Sequence, residues 1–350
     1  MNPALLVRLR PRGPWRIGPP SGARDRVDRM FHSDALFSAV SHAMARFGRL
    51  EEWLAATVTG ADGPSVRLSS LFPALDDLRF VPPPKSLWPP PPSAKVRWRN
   101  AEFVPLAVVR DLVAEKPLND NRYYLDGASG CLMPANEQFR PGPFCTALRS
   151  HAAVDRLTAD AVEVHRTACL EFSEGGGFWG VVSFASEEAQ TQWSAPLQAA
   201  FRYLADTGLG GERSLGWGRS ADPEFTAGVL PNLVLPEIAP APVAEGAEAP
   251  APPETAYWLL SLFSPSPQDS VDWQRGVYAM AERGGRIESP QRSGESKKIA
   301  RMVEEGSVLL AAAPPAGAAP DVAPDGFPHP VYRSGFALAI TIPYRQGVPA

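Results

Sequence analysis

The densest concentration of chemistry-bearing residues is the run Gly208-Leu209-Gly210-Gly211-Glu212-Arg213-Ser214-Leu215-Gly216-Trp217-Gly218-Arg219. Closely spaced glycines expose backbone N–H groups and let another backbone come very near. Arg213 and Arg219 add guanidiniums, whose forked donors suit phosphate. Trp217 offers a flat face for a base or for the core. A glycine loop alone reads as a turn between helix and strand. The added Arg-Ser-x-Gly-x-Gly-Arg pattern shifts the reading to a cradle for a phosphodiester backbone, built from Gly210, Gly211, Arg213, Ser214, Gly216, Trp217, Gly218 and Arg219. The segment Gly216–Ala221 also fits a dinucleotide fingerprint, but that motif needs a strand before it and a helix after it. Here a helix precedes and Asp222-Pro223 follows, so that reading is rejected.

Other candidates are weaker. His32 and Ser33 stand at a helix start, where Ser33 caps the helix and both residues can meet a phosphate. Lys85, Lys95, Arg97 and Arg99 interleave with Trp88 and Trp98 in a proline-rich stretch. Charge that tracks a backbone beside rings that stack on bases suits single-stranded nucleic acid, and so does a merely solvated arm. Arg149, His151 and Arg156 can reach the same groove, although a salt-bridged strand edge explains them equally. Gly177–Phe184 loosely echoes an RNA-recognition aromatic motif, yet without its leading basic residue it reads as a buried strand. The chain has no G-x-S-x-G, H-E-x-x-H or Walker A motif. Its five histidines are scattered, and none pairs with a nucleophile.

These residues need elements to hold them. A strand at Ala4–Arg10 precedes a helix marked by Leu36, Val40, Ala43, Met44 and Phe47. A strand at Phe178–Phe184 leads into a second helix with Trp193, Leu197, Ala200, Phe201 and Leu204 on one face, stopped by Gly208. This order suggests an α+β, β-α-β-β-α-β ferredoxin-like domain over 1–235, enlarged by an insertion at about 82–150. Residues 236–256 are Pro/Ala/Glu-rich and read as a linker. Residues 257–350 read as a second, smaller ferredoxin-like domain, with strands at Tyr257–Phe263, Gly306–Leu310 and Phe336–Ile342 and a short helix through Trp273, Val277, Met280 and Ala281.

Composition bounds the function. At 44% hydrophobic and 21% charged, the 350 residues hold a sizeable core, and the 39 prolines point to long irregular connections. No apolar run reaches about 18 residues, so no membrane span is expected, and the N-terminus lacks signal-peptide character. The location expected is cytoplasmic. Three cysteines without paired spacing suit neither a disulfide framework nor a zinc ribbon. The net charge of −4 gives no global affinity for polyanions, so RNA contact must come from a local patch.

The landmarks taken in order resemble a known family. Trp15-Arg16-Ile17-Gly18, His32–Ala39, Ser69-Ser70-Leu71-Phe72-Pro73, Val154-Asp155-Arg156-Leu157-Thr158, Gly210–Arg219, Glu305-Gly306-Ser307-Val308 and His329-Pro330-Val331-Tyr332 look like the fourth subunit of the Csm, or type III-A CRISPR effector, complex. That family is a RAMP protein of the Cas5 group. The resemblance implies two ferredoxin-like domains, a non-catalytic role and no cofactor. It implies a subunit that holds the repeat-derived 5′ tag of the crRNA and docks on a large Cas10-type subunit and a neighbouring backbone RAMP subunit. It places a thumb-like hairpin at Pro82–Arg110, where this chain is richer in proline than in lysine. The rival reading is a RAMP endoribonuclease using His32 or His151 as general acid/base. A third is a mononucleotide-binding module on the glycine loop.

Overall fold

The computed structural model describes residues 2–19, 21–60, 63–90, 96–135, 140–155, 157–158, 161–236, 254–289 and 292–344. Most of the expected linker, 237–253, lies outside them. The main sheet is antiparallel and runs Glu224–Leu230, Asn2–Leu9, Gly176–Phe184, Phe72–Leu75, Leu78–Val81, Val104–Pro105, with Val66–Leu68 also paired to Gly176–Phe184. Two helices make the crossovers, Ser33–Arg46 after the first strand and Glu187–Thr207 after Gly176–Phe184. The strands linked by those helices therefore lie in the order last, first, third, second. Alternation along the first strand sets the layers. Leu5, Val7 and Leu9 join the core beneath the helices, while Ala4 and Leu6 face the other way.

Both helices follow the apolar spacing of the sequence. The longer one starts at Ser186, whose hydroxyl accepts from the Ala189 N–H at 3.2 Å, with Glu187 and Glu188 at its positive end. It buries Trp193, Leu197, Ala200, Phe201 and Leu204 and stops at Gly208. Trp193 meets Trp53 edge-on at 5.4 Å. The shorter helix begins one residue earlier than the sequence suggests: His32 is the cap residue, and Ser33 is the first helical residue.

A second sheet covers the outer face of the first. It runs Val271–Val277, Val308–Ala311, Thr255–Leu259, Ala339–Pro343. Read from its other edge, this is again last, first, third, second. The short helix expected around Trp273–Ala281 is corrected to the edge strand Val271–Val277 and the strand Met280–Arg283, the latter paired with Ala300–Val303. The helical spacing was coincidental. Trp273 and Met280 are exposed, so no apolar stripe exists to bury a helix. Among the described residues, 254–344 contain no helix. Trp258, Val308, Ile340 and Ile342 share one core with Ala4, Leu6, Trp179 and Val181. Helices, main sheet and second sheet thus form three layers.

The insertion is also corrected in part. Trp98 is fully buried and stacks on Trp88 at 5.9 Å with planes 5° apart. The helix Leu106–Val113 buries Val108, Val109 and Leu112 in the shared core. The described residues of Pro82–Arg110 are therefore largely packed on the body, where a projecting thumb was expected. The long hairpin lies further on, Phe144–Val154 paired with Ala161–Phe172. Leu148, Ser150, Val164 and Arg166 are exposed on one of its faces, while on the other Thr167 is buried and His151 and His165 are partly covered.

Candidate nucleic-acid interface

The glycine loop folds against the segment that follows the first strand. Gly211 donates to Arg16 O at 2.8 Å, Gly218 to Pro14 O at 3.0 Å, and Arg12 to Arg219 O at 2.9 Å. Trp15 Nε1 also donates to Arg219 O, at 3.2 Å. Arg16 is buried, and its guanidinium serves the carbonyls of Ala23, Arg24 and Ala168. These bonds lock the loop to the root of the long hairpin. A Cβ at Gly218, where φ is +80°, would lie 2.1 Å from Leu209 O, so glycine is required by the protein's own backbone. At Gly216, with φ +82°, the space beside the Cα is open.

Outward from this frame stand Arg213, Ser214, Leu215 and Arg219, all exposed. The backbone bond from Arg12 brings that exposed arginine beside Arg219. Among the described residues Arg12 and Arg219 have no ion-pair partner. Arg213 is different: its Nη2 donates to both oxygens of Glu288, at 3.1 and 3.0 Å. Its charge is partly neutralised across the gap to the second sheet's loops. Arg12, which the sequence reading missed, had no signal beyond its place two residues after the first strand.

Several sequence-based candidates lie elsewhere. Trp217 is buried and offers no free face for a base; its ring sits 5.6 Å from His151, which stacks on His165 at 5.4 Å. Lys85 faces Glu304 at 3.8 Å, and its N–H donates to Gly306 O. Arg99 is exposed on a separate hollow with Arg29 and Glu102. Lys95, Arg156 and the side chain of Arg97 lie outside the described residues. Gly210, Gly211, Arg213, Ser214, Gly216, Gly218 and Arg219 come together as one loop.

His32 and Ser33 are corrected. They belong to the seam between the two sheets' connections, not to an open surface. Ser33 is buried, and its hydroxyl accepts from the Leu262 N–H at 3.0 Å. His32 Nδ1 meets Glu305 Oε1 at 2.9 Å, and Ser70 donates its hydroxyl to the same oxygen. Burial works against charge on His32, but Glu305 outweighs it and raises the imidazole pKa. Burial likewise opposes ionisation of Glu305, and His32 with Ser70 brings its pKa below the usual value. Beside them Asp34 accepts from Arg283 Nε and Nη2 at 3.1 and 2.9 Å and from Arg333 Nη1. Burial opposes the charge of Asp34, yet the two arginines lower its pKa to about 2.

A broad cleft of about 840 Å³ opens beside the seam and reaches Gly208, Gly210 and Arg213 of the loop. No helix among the described residues is long and apolar enough to cross a membrane.

Residues 253–342 match the family model of the CRISPR Csm4 C-terminal domain. The fold is similar to a chain in the crystal structure of a Csm3-Csm4 subcomplex of the type III-A CRISPR-Cas interference complex. There the TM-score is 0.62 at 18% identity, covering 97% of this chain and 99% of the other. It is also similar to a chain in Csm1-Csm4 cassette crystal structures. With pppApA the TM-score is 0.57 at 18% identity, covering 99% of this chain and 100% of that one. With cA4 the TM-score is 0.56 at 18% identity, with the same coverage. No curated protein sequence matches. The chain is Csm4-like, in family terms over 253–342 and in fold over nearly its whole length.

Proposed function

We propose that this Csm4-like chain is a non-catalytic, crRNA-binding subunit of a type III-A CRISPR effector complex. It holds the repeat-derived 5′ tag of the crRNA and docks on a large Cas10-type subunit and on a neighbouring backbone RAMP subunit. The observation that carries this is the rigid glycine loop at the hairpin root, with Arg219, Ser214 and Arg12 exposed together. Guanidiniums beside open backbone suit phosphates and leave base identity unread. Similar chains were crystallised with Csm1 and with Csm3, which fits the two docking partners. Both sheets have the strand order last, first, third, second. That order supports two ferredoxin-like units over 1–235 and 257–350, the second with its helices replaced by loops and hairpins. Assembly on a guide RNA places the chain in the cytoplasm.

The nuclease alternative loses one of its two histidines, because His32 is engaged by Glu305 in the seam. With a net charge of −4 the isolated chain binds RNA modestly, and tight binding comes from several subunits sharing one RNA. The test is co-expression with the host's CRISPR effector operon, capture through this chain and sequencing of the RNA retained. The expected result is a multi-subunit particle with uniform repeat-derived 5′ ends. A lone chain that carries no RNA refutes the proposal.

A further inference from the structure

The covered face of the long hairpin carries a patch of polar atoms without partners. His151 and His165 stand directly opposite each other in the register, and Thr167 follows His165 two positions along the same strand. Side chains two apart share a face, so the three residues form one group. His151 Nε2, His165 Nδ1 and Thr167 Oγ1 are all buried and have no hydrogen-bond partner among the described residues. The Trp217 ring of the glycine loop packs against this group, 5.6 Å from the His151 ring. Arg149, opposite Thr167, does not supply the missing contact: its Nε donates to Glu171 at 2.7 Å, nearer the hairpin's root. Buried polar atoms are nearly always paired, and three unpaired ones side by side point to a bound ion or water.

The ring spacing distinguishes the two. The imidazole centroids of His151 and His165 are 5.4 Å apart, with planes 24° from parallel. Nitrogen binds a zinc-class ion at about 2.0–2.1 Å, which puts each ring centroid about 3.2 Å from the ion and two rings about 5.2 Å apart at a tetrahedral angle. A water bridging the same nitrogens at about 2.9 Å would spread the rings to roughly 6.6 Å at that angle. The observed spacing fits the ion. Two imidazoles beside a neutral hydroxyl suit Zn²⁺, Cu²⁺ or Ni²⁺ and not Mg²⁺ or Ca²⁺, which take several oxygens. Among the described residues no three His, Cys, Asp or Glu side chains gather as a metal site. Thr167 and water are left to complete the coordination, which makes the site open and exchangeable rather than a closed structural one.

We propose that His151 and His165 bind a divalent transition-metal ion of the zinc class across the two strands of the hairpin, with the Thr167 hydroxyl beside it. Such an ion staples Phe144–Val154 to Ala161–Phe172 and holds His151 against Trp217, so the set of the hairpin is tied to the glycine loop. The inference goes beyond the RNA-holding role and does not depend on it. No local motif announces the site, because only the hairpin register brings the two histidines together.

The test titrates the untagged full chain, stripped with a chelator, first with Co²⁺ and then with Zn²⁺. The expected result is one Co²⁺ per chain, with the visible absorption of nitrogen and oxygen ligation, displaced by Zn²⁺. Zn²⁺ at about 100 times its Kd should raise Tm by about 4 °C for 350 residues unfolding as one unit. His151→Gln and His165→Gln should each abolish both signals, while His42→Ala and His329→Ala keep them. Histidine carbethoxylation mapped by mass spectrometry gives a second reading on the unsubstituted chain, free of any folding defect in the variants. Zn²⁺ should protect His151 and His165 and leave His42 and His329 as reactive as before. Absence of saturable Co²⁺ binding, binding that survives both glutamine substitutions, or protection confined to other histidines overturns the proposal. No RNA is present in these measurements, so none of the outcomes bears on the RNA-holding role.

Discussion

Asp34→Asn removes the charge on which the seam depends. The carboxylate is buried and receives four donors, Arg283 Nε and Nη2, Arg333 Nη1 and the Ala35 N–H. Asparagine keeps the shape and one carbonyl oxygen. It leaves two guanidiniums without their shared counter-charge, since Glu305 and Asp28 act only on Arg283 and from further off. Breaking a buried pair in this way costs about 3–5 kcal/mol. Unfolding entropy of about 2.1 cal/mol/K per residue gives roughly 0.7 kcal/mol/K for 350 residues unfolding as one unit.

The expected fall in Tm is therefore roughly 4–7 °C, read by scanning calorimetry at neutral pH. The control is Glu282→Gln, which breaks the exposed pair with Arg301. Such pairs contribute no more than about 1 kcal/mol, so its Tm should move by about 1 °C or less. If Asp34→Asn shifts Tm no more than this control, the seam is not an electrostatic lock and the argument above is wrong.

Arg12→Glu with Arg219→Glu should weaken RNA binding and reduce the slope of log K against log salt by roughly 1.4, from about 0.7 for each single-strand phosphate contact; a salt titration measures it. Gly218→Ala places a Cβ 2.1 Å from Leu209 O at positive φ and should cost about 2–4 kcal/mol, whereas Gly216→Ala meets open space and should cost about 1–2 kcal/mol of strain. Urea unfolding of the two variants distinguishes them, and equal losses would contradict the assigned packing. The seam also sets a pH window. The raised pKa of His32 gives stability that is full below about 6.5 and lost as pH rises through the folded value, while the lowered pKa values of Asp34 and Glu305 give stability present above about 4 and lost on further acidification. Thermal melts across pH should therefore show a decline on the alkaline side that His32→Asn abolishes. His151→Ala should leave the length of the bound RNA unchanged; longer RNA in that variant would favour the nuclease.

The parts of the fold legible in the sequence are those where period and punctuation agree. Leu36, Val40, Ala43 and Met44 face a core at helical spacing, and Trp193 through Leu204 do the same before Gly208. The second sheet was harder, because Trp273 and Met280 fall at helical spacing while both point to solvent. Only the edge position of Val271–Val277 decides the matter, and an edge is a tertiary fact. Trp88 and Trp98 carried the same ambiguity: basic neighbours suggested stacking on bases, and the rings stack on each other. His32 looked like a surface cap because its partner, Glu305, lies 273 residues away. No local pattern could join them.

The glycines of the loop turn out to serve the protein's own backbone. Five glycines in the loop suggest exposed N–H groups waiting for phosphate, but Gly211 and Gly218 donate to Arg16 and Pro14 carbonyls. They serve to press the loop flat against the segment after the first strand. That rigidity is what makes Arg219 and Arg12 useful, since side chains on a fixed base lose less freedom when they bind. Two guanidiniums without an ion-pair partner among the described residues and one hydroxyl are a small surface on a chain of net charge −4. Held in isolation, such a surface gives weak and salt-sensitive contact. Under the proposed role, the same surface held beside other subunits on one RNA would contribute position rather than affinity.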